Sequence, residues 1–190
     1  EEILEFLIQF ATTGMAAADM NGDDIVDIIV NNYGAPDHPQ ETVSVLYGDG
    51  EGAFSDPVEF PTGGPTPSAI VAADFDGDGR PDIAVSNRAG HTVHTGDVAI
   101  LQQTTPGEFV ANANRLPGLA PRSLFAEDLD NDGAIDLISA NFLMPSVYVF
   151  RGKGDGTFHD FIRLETALGP VHIKMADVNE DGQRDLIGAN

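Results

Sequence analysis

Apolar residues in this chain fall into short runs of two kinds. The first kind is nearly continuous: "DIIVNN" at 27–32, "DIAVSN" at 82–87, "DLISAN" at 136–141 and "DLIGAN" at 185–190. The second alternates, with Val43, Val45 and Tyr47, or Val147 and Val149, at every second position. A period of two is that of a β-strand resting one face on a core. Each alternating run passes through a Gly-rich stretch and reaches a phenylalanine: "VSVLYGDGEGAF" ends at Phe54, "VAILQQTTPGEF" at Phe109 and "VYVFRGKGDGTF" at Phe158. That order predicts a strand, a hairpin turn and the start of another strand. "PVEF" at 57–60 supplies a fourth strand. No stretch combines a helical period with caps.

The polar positions repeat as well. An aspartate cluster precedes each continuous run, opening at Asp19, Asp74, Asp128 and Asp177, so the copies are 55, 54 and 49 residues apart. Counting the opening Asp as position one, position three is Asn21, Asp76, Asp130 and Asn179. Position five is Asp23, Asp78, Asp132 and Asp181, and position nine is Asp27, Asp82, Asp136 and Asp185. Position fourteen is Asn32, Asn87, Asn141 and Asn190. A unit of about 50 residues with four short strands is the signature of a β-propeller blade. The expected units are 1–60 (with part of a preceding one), 61–115, 116–165 and an incomplete 166–190. The fold class is all-β: a propeller, or part of one, built from four-stranded antiparallel blades.

Oxygen side chains at alternate positions of a tight loop suit calcium, a hard cation that takes six to eight oxygens. Positions one, three, five and nine offer side chains. The backbone carbonyl near position seven (Ile25, Arg80, Ala134 and Gln183) adds another ligand. Glycine at position six (Gly79, Gly133, Gly182) permits the positive φ of the bend, and Asp24 stands there in copy one. An EF-hand needs Glu at position twelve and flanking helices, but Val30, Val85, Ser139 and Gly188 stand there. A nonapeptide calcium solenoid needs tandem Gly-rich repeats, whereas "GKGDGTF" recurs about once per unit. "YGDGEG" at 47–52 has no helix after it to hold a phosphate. The reading is one Ca²⁺ per loop, up to four, in a mainly structural role.

Composition agrees. The chain has 31 acidic and 9 basic residues, for a net charge of -22, which four Ca²⁺ bring to -14. Such charge excludes nucleic acid and anionic membranes as partners. There is no cysteine, hence no disulfide or thiolate chemistry. No apolar run approaches a membrane span. "EEILEFLIQF" at the start lacks the basic region of a signal peptide, so a mature segment or internal fragment is expected.

The alternating "DxDGDGxxD" loops and "VxVLxGxGxGxF" segments resemble FG-GAP/VCBS repeats, as in the integrin α-subunit propeller and many secreted bacterial proteins. The resemblance implies Ca²⁺ in the loop between the first two strands of each blade, on the residues named above. It also implies a larger ring, completed by other chains or further sequence.

Function on a propeller lies in the longer loops of one face. The connections after the second strands vary most: 31–41, 87–96 and 141–145. Their candidate ligand-binding residues are Tyr33, His38, Arg88, His91 and His94. No catalytic set of fixed spacing is present. The expected function is an extracellular recognition or adhesion module for a protein or carbohydrate ligand, since weak calcium sites fill outside the cell. The alternatives are the scaffold of a secreted carbohydrate-active enzyme, resembling polysaccharide lyases, and a purely structural subunit.

Overall fold

The computed structural model describes residues 12–35, 38–88, 96–112 and 115–189. These hold strands and no helix. The first sheet runs β1 (Met15–Ala18), β2 (Asp27–Ala35), β3 (His38–Leu46), β4 (Val58–Pro61). The second runs β5 (Pro67–Ala73), β6 (Asp82–Arg88), β7 (Gly96–Thr105), β8 (Glu108–Ala111). An unforeseen β9 (Leu116–Gly118) pairs with the free half of β7. The third runs β10 (Pro121–Glu127), β11 (Asp136–Asn141), β12 (Ser146–Phe150), β13 (Ile162–Glu165). The last is the pair β14 (His172–Ala176) and β15 (Asp185–Ala189). Neighbours in each sheet are antiparallel and follow chain order. The innermost strands β1, β5, β10 and β14 touch in succession, so the sheets fan out from them as the blades of a propeller.

This packing explains the two kinds of apolar run. A blade between two others has a core on each face. Ile83 and Val85 of β6 point toward the first blade, where Ile29, Val43, Val45 and Phe60 meet Leu101 and Phe109. Ala84, between them, points toward the third, into a cluster with Phe75, Ile100, Leu137, Tyr148 and Phe150. Second strands therefore carry apolar residues at successive positions, as at 28–30 and 83–85, because both faces are buried. The expectation of one buried face on the third strand is too narrow. Ser44 is as buried as Val43 and Val45, and it accepts a hydrogen bond from Asn32 Nδ2 at 2.9 Å.

Polar ties cross the blades near the inner strands. Asn31 Nδ2 donates to the Pro67 carbonyl, and the Ser86 hydroxyl donates to that of Pro121 at 3.2 Å. Arg115 clasps Asp97 through two bonds of 2.6 Å and reaches the Thr62 carbonyl at 2.8 Å. Hairpins interlock too. The Gly107 N–H, on the β7–β8 turn, donates to the Met20 carbonyl at 3.1 Å. The Gly156 N–H, on the β12–β13 connection, donates to that of Phe75 at 2.9 Å. Each hairpin thus rests on the acidic loop of the preceding blade.

Candidate functional site

The four acidic loops join β1 to β2, β5 to β6, β10 to β11 and β14 to β15. Position six has a positive φ in all four: 63° at Asp24, 88° at Gly79, 92° at Gly133 and 84° at Gly182. Asp24 therefore takes the left-handed geometry that glycine takes elsewhere, as expected. Position four also turns left-handed, at Gly22, Gly77, Asn131 and Glu180, a requirement the sequence reading missed. The two bends wrap the backbone around the opening aspartate. Its Oδ2 accepts the position-six N–H at 2.7 Å in Asp19, 2.8 Å in Asp74, 3.0 Å in Asp128 and 2.9 Å in Asp177. Burial raises the Asp19 pKa, but four backbone N–H donors outweigh it and hold the group below its usual value.

Carboxylate oxygens of Asp74, Asp76 and Asp78 lie within 4.8 Å of one another, and so do those of Asp128, Asp130 and Asp136. Two oxygens on one Ca²⁺ can stand no farther apart than about 5 Å, twice the bond length, so both triads fit one such ion. Charge in these loops meets nearby donors. Arg80 pairs with Asp78, and Arg151 Nη1 lies 2.5 Å from Asp130. Asn21 Nδ2 and Asn179 Nδ2 each donate at 3.0 Å to the position-five aspartate of their own loop. Among the described residues, the carboxylates of the first and fourth loops do not converge in threes.

Position nine has a role beyond a ligand's. Asp27, Asp82 and Asp136 are buried. One oxygen of each accepts the position-two N–H: Met20 at 2.7 Å, Phe75 at 3.1 Å and Leu129 at 3.0 Å. The other accepts an N–H at the end of the third strand: Gly48, Gln103 and Gly152, each at 2.8 Å. This carboxylate staples the loop to the sheet. Burial pushes Asp82 up to about 6, against the pull of the Gln103 N–H, and raises Asp27 as well. Position two anchors the same loop from below, where Met20 and Phe75 are almost fully buried.

The opposite rim holds the connections after the second strands. The span 31–41, expected to be a loop, is instead largely strand. β2 and β3 continue to Ala35 and His38, past a bulge between Asn32 and Gly34 where Gly34 has φ 71°. His38 therefore lies in a strand and not in a loop. His91 and His94 lie outside the described residues. Tyr33, Arg88 and Phe142 follow the position-fourteen asparagine in successive blades, so the fold delivers them to equivalent places. Arg122, absent from the sequence reading, joins them. It stacks on Phe142 with its guanidinium carbon 4.1 Å from the ring centroid. Burial first, and the Arg88 charge next, lower its pKa, while Tyr33 raises it. A proline seven residues before each of the last three opening aspartates (Pro67, Pro121 and Pro170) could have marked these inner strands. Thr66 and Ala120, ahead of two of them, have positive φ.

Comparisons with known proteins agree with this architecture. The chain is 27% identical to cartilage acidic protein 1 of Xenopus tropicalis over an alignment of 199 positions that covers 93% of this chain and 30% of that protein. Two solved structures share the fold. One is an Agrocybe aegerita lectin, described in its recognition of non-reducing terminal N-acetylglucosamine (TM-score 0.52, 19% identity, 93% of this chain, 42% of the lectin). The other is BBS1N in complex with ARL6DN (TM-score 0.56, 13% identity, 94% of this chain, 50% of that one). The chain thus spans half or less of the length of each. A model of the FG-GAP-like repeat matches residues 19–85 and 128–188. With well over half its residues in those two regions, the chain belongs to the FG-GAP-like repeat family.

Proposed function

We propose that this chain is a calcium-stabilised propeller segment that works outside the cell in recognition of a protein or glycan. The carrying observation is the convergence of three carboxylates in the second and third loops, on a backbone turn that all four loops share. Positions one, three and five, with the position-seven carbonyl, hold the ion. Position nine holds the loop to the sheet and lends an oxygen where it reaches, as at Asp136. Calcium supplies charge neutralisation, which removes the repulsion among loop carboxylates and locks the blade.

Modules of this kind with dissociation constants near 10⁻⁴–10⁻³ M fill only in extracellular calcium. The relative is named a cartilage acidic protein, and this chain is acidic as well. A lectin of the same fold recognises a terminal sugar. The recognition surface is the rim opposite the calcium loops, where Tyr33 and Arg88 lie.

Thermal unfolding with 1 mM Ca²⁺ or excess EDTA tests the calcium reading. A site of about 10⁻⁴ M contributes roughly 1.4 kcal/mol at 1 mM ligand. Four such sites raise Tm by about 10–20 °C in a chain of this size. Asp78→Ala removes about a quarter of that shift. A melting temperature that ignores EDTA would refute the proposal.

A further inference from the structure

Seven of the nine basic residues are arginines, set among 31 acids. Arg80, Arg115, Arg151, Arg163 and Arg184 each pair with a carboxylate. Among the described residues, Arg88 and Arg122 do not, and the fold puts these two side by side. The Ser86 hydroxyl holds the Pro121 carbonyl at 3.2 Å. Arg88 lies two residues beyond Ser86, on the same face of β6, and Arg122 directly follows Pro121. Two unpaired like charges held together repel, unless an anion sits between them.

Other details mark the place as built. Arg88 Nε is buried and, among the described residues, has no hydrogen-bond partner. Such a donor carries a desolvation penalty until something accepts its proton. The ladder register shifts between Asn32 and Gly34 and again between Pro121 and Ser123, so Tyr33 and Arg122 both sit in bulges. Bulges re-aim side chains and gather near functional sites. Phe142, 37% exposed, backs the Arg122 guanidinium and leaves its donor edge open.

We infer that Arg88 and Arg122, flanked by Tyr33 and Phe142, form a binding site for a single carboxylate group of a ligand. This deepens the recognition reading and rests on it. A guanidinium pair offers the planar, charge-assisted donors that a carboxylate accepts in bidentate fashion. A long polyanion is disfavoured, because the rest of the surface is strongly acidic.

Titration calorimetry on the 190-residue chain in low salt with 1 mM Ca²⁺ tests this with two probe pairs. One is methyl glucuronoside against methyl glucoside; the other is N-acetylaspartate methylamide against N-acetylasparagine methylamide. The acidic member of at least one pair binds about tenfold or more tightly than its neutral partner, and that pair identifies the source as sugar or peptide. The preference shrinks in 0.5 M salt. Arg88→Gln and Arg122→Gln each abolish it, while the EDTA-sensitive melting stays as in wild type. Arg122 is exposed, so its variant remains informative even if Arg88→Gln fails to fold. A lack of preference in both pairs, in a chain that still responds to calcium, overturns the site and leaves the propeller reading standing. A preference unchanged in both variants overturns it equally.

Discussion

Phe75→Ala is the most direct probe of how a loop is joined to its blade. Phe75 is 1% exposed at position two of the second loop. Its ring meets Phe158 of the next blade edge-on, with centroids 5.7 Å apart. Its N–H donates to Asp82, and its carbonyl accepts from Gly156. Truncation to Ala keeps both backbone bonds and removes the ring from a close-packed cluster of two blades. Phe→Ala at such sites costs about 3–5 kcal/mol from lost transfer energy plus the cavity left behind. For a chain near 190 residues that lowers Tm by roughly 6–20 °C. Val178 is the matched control, since it occupies position two of the fourth loop but is 64% exposed. Val178→Ala is expected within about 0.5 kcal/mol of wild type. The assay is thermal and urea unfolding by circular dichroism in calcium buffer. Equal losses in the two variants, or a Phe75→Ala loss below about 1 kcal/mol, would show that position two does not anchor the loop through packing.

Two further outcomes follow from the position-nine staple and from a tight glycine. The Asp82 pKa of about 6 in the fold, against 3.8 unfolded, means that the native state holds the proton more tightly. Stability from this group is greatest at low pH and is lost as pH rises through 6. In EDTA, wild-type stability relative to Asp82→Asn should therefore fall by about 2 kcal/mol between pH 4 and 7; a flat difference contradicts the burial argument. The proposed calcium sites predict the reverse trend when the ion is added, because protons compete with it for the loop carboxylates. Gly152→Ala should destabilise by several kcal/mol, because a Cβ there would lie 2.3 Å from the Ile135 carbonyl oxygen. Urea midpoints check it, and a neutral result would mean that the β12 end can shift away from the loop.

The acidic loops were legible because their chemistry is local. Oxygen at positions one, three and five, with a bend at six, is written within six residues. The structure adds a second bend at position four, which Asn131 and Glu180 tolerate and which residue type alone does not reveal. The position-nine aspartate reads from the sequence as a ligand, and the structure adds its role as a staple. A ligand and a staple both call for a carboxylate, and the distinction depends on Gly48, Gln103 and Gly152, 16 to 21 residues away. The span 31–41 reads as a loop from its Gly and Pro content, yet a bulge carries the ladder through it.

By itself the sequence determined the four-fold acidic repeat, the strand order within a blade and the all-β class, since each rests on spacing over fewer than 60 residues. Tertiary packing decided which blade faces each side chain sees, which hairpin rests on which loop, and that Arg122 joins Tyr33 and Arg88. The reason is that those contacts form between blades. They depend on how successive sheets are rotated about their inner strands, and a run of residues along one strand carries no record of that rotation.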